Sequence, residues 1–125
     1  MMYMMNSTQD KKILIVDDSG SMRGLLCGIL TGAGYTKIST AASGEEAIAL
    51  FHKTHPDLVL LDIIMSGMNG MDVLREIGAK TKVMMLSAVG QDSIINEARK
   101  IGAIDFITKP LNNEEVITKV SQYLK

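Results

Sequence analysis

Apolar residues follow two alternating patterns along this chain. Short unbroken runs, Ile13-Leu14-Ile15-Val16, Leu58-Val59-Leu60-Leu61 and Val83-Met84-Met85-Leu86, show no polar alternation. Such runs suit strands buried on both faces of a parallel sheet. Between them apolar residues recur at helical spacing. Met22, Leu25, Leu26, Ile29 and Leu30 define one inward helical face, and Ala47, Ile48, Leu50 and Phe51 define a second. Ile94, Ala98 and Ile101 supply a third, and Val116, Val120 and Leu124 the core stripe of the last helix.

Caps and breakers give the boundaries. Strands are predicted over Lys12 to Asp17, Lys37 to Ala41, Leu58 to Asp62, Lys82 to Ser87 and Ile104 to Thr108. The first helix is capped by Asp18 or Ser19 and ends at Gly32-Ala33-Gly34. The second opens at Ser43-Gly44-Glu45-Glu46, acidic in its first turn as the dipole favours, and stops before Pro56. A short helix spans Gly70 to Ile77, a fourth is capped near Asp92 and closes at Gly102, and the last lies within Leu111 to Lys125. The order βαβαβαβαβα with short connections calls for a parallel sheet covered by helices on both sides. No repeat or linker interrupts it after residue 10. The expected division is a disordered or tag-like tail over residues 1–10 followed by one domain over residues 11–125.

Composition narrows the classes. A chain of 125 residues with net charge −1 has no global basic field for nucleic acid or anionic lipid. Cys27, the single cysteine, excludes an internal disulfide and fits a reducing compartment. It is expected off the apolar face, without a role. No apolar run reaches the ~18 residues of a membrane span, and the Met-rich start lacks the basic flank of a signal peptide. A cytoplasmic protein is the expectation. His52 and His55 have no cysteine or third histidine nearby and read as surface residues near a helix C-terminus, where the dipole favours them. Gly20, Gly24, Gly28 and Gly32 form a stripe at i, i+4 steps: either a smooth face for a partner helix, or drift in a helix already held by its apolar side.

The chemistry gathers at strand ends. Asp17 and Asp18 follow the first strand, Asp62 ends the third, Ser87 the fourth, and Lys109 follows the fifth. The carboxyl edge of an open α/β sheet is where ligands bind. Asp62 alone reads equally well as a helix cap. Three converging carboxylates, however, are costly without a cation, and carboxylate oxygens suit Mg²⁺. A carboxylate is also a nucleophile toward phosphorus, forming an aspartyl-phosphate. That chemistry needs mainly positioning and neutralised phosphoryl oxygens, which Lys109 and Ser87 are suited to supply.

These residues carry a resemblance. Ile13 through Asp18, Asp57 through Asp62 with Met65, Met68 and Gly70, Leu86-Ser87-Ala88, and Phe106-Ile107-Thr108-Lys109-Pro110 together resemble a response-regulator receiver domain, similar in size to the free-standing chemotaxis-type regulators. The resemblance covers Lys11 to Lys125. It implies a flavodoxin-like α/β fold: a doubly wound five-stranded parallel sheet of order 2-1-3-4-5 with five helices. It further implies that Asp62 takes a phosphoryl group from the phosphohistidine of a sensor histidine kinase or phosphotransfer protein, or from a small phosphodonor. Asp18, Asp62 and the backbone carbonyl of Ile64 would ligate Mg²⁺, with Asp17 acting largely through water. Ser87 would move to the phosphoryl group, Phe106 would change rotamer, and Lys109 would pair with the phosphoryl oxygens beside a cis bond before Pro110. Such a domain is a switch, not a turnover enzyme. With no further domain in the chain, its expected output is a downstream effector protein, met near the fourth strand-helix connection and the fifth strand, with a monomer as the expected state.

The sequence departs from that pattern in places. Ser66 replaces a usual proline, so the loop after Asp62 is expected to be more mobile and to gain a donor. Ile64 and Val89 are apolar where many relatives are polar, and are expected to flank the attacking water and slow loss of the phosphoryl group. Phe106 lacks the hydroxyl of tyrosine-bearing relatives, which lowers the desolvation cost of its buried pose. Three rivals can be weighed. A haloacid-dehalogenase-type hydrolase needs a second acid where Ile64 stands. In a flavodoxin-like electron carrier, Asp17-Asp18 would repel the cofactor phosphate. The third is a receiver-like interaction module that no longer uses phosphorylation.

Overall fold

The computed structural model describes residues 10–88 and 90–125. The predicted tail up to Gln9, and Val89, lie outside the described residues. Among these residues the elements run β1 (Lys12–Val16), α1 (Gly20–Gly32), β2 (Lys37–Ala41), α2 (Gly44–Thr54), β3 (Leu58–Asp62), α3 (Gly70–Ile77), β4 (Lys82–Ser87), α4 (Asp92–Ile101), β5 (Asp105–Thr108) and α5 (Asn113–Tyr123). All strand pairings are parallel, and the sheet order is β2-β1-β3-β4-β5.

The unbroken apolar runs are explained by two cores. Alternate strand residues point to opposite faces. Ile13, Ile15, Leu58, Leu60, Met84, Leu86 and Ile107 pack with Leu26, Ile29 and Leu30 of α1 and with Val116 and Val120 of α5. Leu14, Val16, Val59, Leu61, Val83 and Met85 pack on the other face with Ala47 and Phe51 of α2, Val73, Leu74 and Ile77 of α3, and Ala98 of α4. With both faces covered, a central residue such as Leu60 is fully buried, which is worth about 1.5–3 kcal/mol relative to exposure.

Side-chain caps set several helix starts. Ser19, rather than Asp18, caps α1 by accepting from the Met22 N–H at 3.3 Å. Ser43, Asn69 and Asn112 cap α2, α3 and α5 in the same way. The last helix therefore begins at Asn113, two residues beyond Leu111. Asp92 does not cap α4. Gln91 holds that position and makes no cap bond, its Oε1 accepting instead from the Ala88 N–H at 2.6 Å.

Three further sequence expectations are corrected. Leu25 is 48% exposed, because the buried stripe of α1 centres on Leu26, Ile29 and Leu30 and position 25 falls outside it. Cys27 is partly buried against that same core rather than off it. β1 ends at Val16, one residue before Asp17, although the Asp17 N–H still donates to the Ala41 carbonyl at 3.1 Å. A Cβ at Gly24, Gly28 or Gly32 would meet nothing within 4 Å among the described residues. No close helix approach there uses the missing side chains.

Candidate functional site

β1 and β3 are adjacent, and the chain leaves them toward opposite edges of the sheet. Their carboxyl ends are thus the switch point at which open α/β sheets form a crevice. Asp17 and Asp18 extend from β1 and Asp62 ends β3. One carboxylate oxygen from each lies within 4.8 Å of the others. Asp17 is fully buried, Asp62 is 7% exposed, and Asp18 faces solvent.

Lys109, carried past the end of β5, sits between two of these acids. Its Nζ lies 3.2 Å from Asp17 Oδ2 and 3.4 Å from Asp62 Oδ1. The Lys109 N–H donates to the Ser87 carbonyl at 2.7 Å, which joins the ends of β5 and β4. The Lys109-Pro110 bond is cis. Asp17 is fixed further by the Ser19 N–H, which donates to its Oδ1 at 3.0 Å, while the Arg23 guanidinium donates to its carbonyl at 2.7 Å.

One ammonium does not neutralise three carboxylates. Burial pushes the Asp62 carboxyl up to about 6, the neighbouring Asp17 charge adds to the rise, and Lys109 and the Ile64 N–H pull the other way. Asp62 is thus disfavoured as an anion until more positive charge arrives. The donor set, carboxylate oxygens converging with an excess of negative charge, suits a hard divalent ion such as Mg²⁺.

Ser87 completes the edge. It follows Leu86, whose register partner in β3 is Asp62. Its hydroxyl is buried and has no hydrogen-bond partner among the described residues. An orphaned hydroxyl of this kind costs free energy and calls for an explanation; an incoming oxygen ligand would provide one. Phe106 is buried in the α2–α4 core, and the Arg99 guanidinium lies over its ring, 4.5 Å from the centroid. Ile64 is 59% exposed beside Asp62, whereas Val89 lies outside the described residues.

Arg23, Arg99 and the backbone role of Gly70 were not legible in the sequence. A Cβ at Gly70 would come within 2.1 Å of the Asp62 carbonyl, so α3 can start against the acid's own backbone only with glycine there. The Gly after the Asn69 cap was the available signal for it. Arg99 lies seven positions before Phe106, across a turn, and nothing local marks the stacking.

Fold and site together define a doubly wound α/β domain with an acidic, cation-competent centre at its switch point. The family described as the response regulator receiver domain matches residues 13–121. The chain is 40% identical over 118 residues to the chemotaxis protein CheY of Thermotoga maritima, covering 92% of this chain and 98% of that protein. It is 37% identical over 123 residues to the transcriptional regulatory protein ResD of Bacillus subtilis, covering 97% of this chain and 51% of ResD. The crystal structure of the receiver domain of NtrX from Brucella abortus superposes with a TM-score of 0.85 at 34% identity, over 90% of this chain and 98% of that one. The chain belongs to the response-regulator receiver family. Receiver domains are signalling switches rather than turnover enzymes, and they generally bind Mg²⁺ at an acidic pocket. No helix among the described residues is long and apolar enough to cross a membrane.

Proposed function

We propose that Asp62 is the phosphoacceptor. An oxygen of its carboxylate attacks the phosphorus of a phosphohistidine on a histidine kinase or phosphotransfer protein, or of a small acyl phosphate. The new O–P bond forms as the bond to the donor's nitrogen or oxygen breaks, and the electron pair leaves with the donor. Asp17, Asp18, Asp62 and the Ile64 carbonyl are the candidate ligands for Mg²⁺, which when bound would neutralise phosphoryl oxygens. The observation carrying this reading is the Lys109 ammonium held within 3.4 Å of Asp62 inside the acid cluster. There it can follow the new charge on the phosphoryl group.

The phosphoryl group adds about −1.5 to −2 charge and strong acceptors. The Ser87 hydroxyl, without a partner among the described residues, and the Lys109 ammonium are the donors poised to meet it. Their movement would draw on the loops after β4 and β5 and shift Phe106, re-forming the surface of α4, β5 and α5. That surface is the proposed contact for a downstream protein, by a population shift that needs only a few kcal/mol of preference.

Incubation with acetyl phosphate and Mg²⁺, read by intact mass, tests the acceptor. One added phosphoryl group that disappears in Asp62→Asn is the expected result. No addition to the folded chain would instead favour a receiver-like module that no longer uses phosphorylation. A pull-down comparing untreated with beryllofluoride-treated protein then tests the output surface.

A further inference from the structure

The loop from β3 to α3 brings Ser66 to Asp18 of the acid cluster. Its N–H donates to Asp18 Oδ2 at 3.1 Å, and its hydroxyl reaches the same oxygen at 3.4 Å. These are the only hydrogen bonds of the Asp18 side chain among the described residues, and they join the segment after β1 to the segment after β3. Asp18 is the exposed member of the cluster, and these two bonds tie its side chain to the loop after β3. Both donors fall on one oxygen, which leaves the other free, since an ionised carboxylate offers about four acceptor positions. The contact and a bound ion are therefore compatible. A proline at this position would have no N–H to give, and an alanine would keep only the backbone donor.

We propose that Ser66 is a positioning residue for the divalent cation, holding Asp18 in a ligating orientation before the ion arrives. The inference rests on the reading that this acid cluster takes Mg²⁺. Its physical content is preorganisation: the ordering cost of an exposed aspartate is met in the metal-free protein, so ion binding need not meet it. The expected sequence-level mobility of this loop is thereby offset by the donor it gains.

Calorimetric titration of the full chain with MgCl₂ tests this, using wild type, Ser66→Ala, Ser66→Thr and Ser66→Pro, with urea unfolding in chelator as the check on folding. Ser66→Ala should weaken Mg²⁺ about two- to threefold, because it loses the longer of the two bonds. Ser66→Pro should weaken it about tenfold, in the range of lost outer contacts at metal sites. Ser66→Thr, which keeps both donors, should restore wild-type affinity, and the metal-free unfolding midpoints of wild type, Ser66→Ala and Ser66→Thr should coincide. Unchanged or tighter Mg²⁺ binding in Ser66→Ala and Ser66→Pro, with wild type still binding, overturns the role of Ser66 alone. Absence of Mg²⁺ binding by wild type overturns the metal reading and this inference with it.

Discussion

Replacing Asp62 with asparagine should make the metal-free protein more stable at neutral pH. The Asp62 carboxyl is raised from 3.8 to about 6, by burial first and by the Asp17 charge second, against the pull of Lys109. A group whose folded-state pKa exceeds its unfolded value favours the fold only while protonated. Its contribution is complete below about pH 4 and is lost as pH rises through about 6. That rise corresponds to a ceiling of about 3 kcal/mol at pH 7.5. Asparagine cannot ionise, so Asp62→Asn escapes that cost while Lys109 keeps its partner in Asp17 at 3.2 Å. We expect a gain of about 1–3 kcal/mol at pH 7.5 in chelator and close to none at pH 4.

The chain has no tryptophan, so urea unfolding followed by far-ultraviolet circular dichroism is the suitable assay. Mg²⁺ should narrow the difference: at ten times its Kd it stabilises wild type by about 1.4 kcal/mol, and Asp62→Asn should lose most of that. An Asp62→Asn protein no more stable than wild type at pH 7.5 without metal would refute the electrostatic account. So would a gain of equal size at pH 4 and pH 7.5.

Other consequences can be measured in the same way. The Asp105 carboxyl is held below the ordinary range: burial alone would raise it, but the Phe106 N–H, the Tyr123 hydroxyl and the Lys119 ammonium outweigh that. Asp105→Ala should therefore destabilise by about 1–3 kcal/mol at pH 7. That deficit should shrink as pH falls through the aspartate range, in a urea series from pH 7 to pH 3. Gly70→Ala places a Cβ 2.1 Å from the Asp62 carbonyl and should cost about 1–3 kcal/mol in urea unfolding. Arg99→Ala removes the cation over Phe106 and should cost about 0.5–1 kcal/mol, with a matching change in the Phe106 ring resonances. Ile64→Asn combined with Val89→Glu should speed loss of the phosphoryl group from Asp62 in a single-turnover mass assay; an unchanged or slower rate removes the idea of an apolar flank.

How much could be read from the sequence follows from which forces act locally. The strands were legible because parallel sheets bury both faces, so Leu58 to Leu61 and Val83 to Leu86 could hardly be anything else. The convergence of Asp17, Asp18 and Asp62 was legible for the same reason: strand ends in such a sheet share one edge. Leu25 was misplaced because adjacent helical positions differ by about 100°, and a list of apolar residues does not say where the stripe is centred. Gln91 was missed as the residue entering α4 because it makes no cap bond, its side chain accepting instead from the Ala88 N–H three residues back. Contacts such as Ser66 to Asp18, 48 residues apart, and Arg99 to Phe106 depend on how loops and helices settle on the sheet. The residue types at the edge thus dictate which chemistry is available, whereas the contacts around them set how tightly each charge is held. Affinity and bias are therefore where this chain can differ from relatives that share its acids.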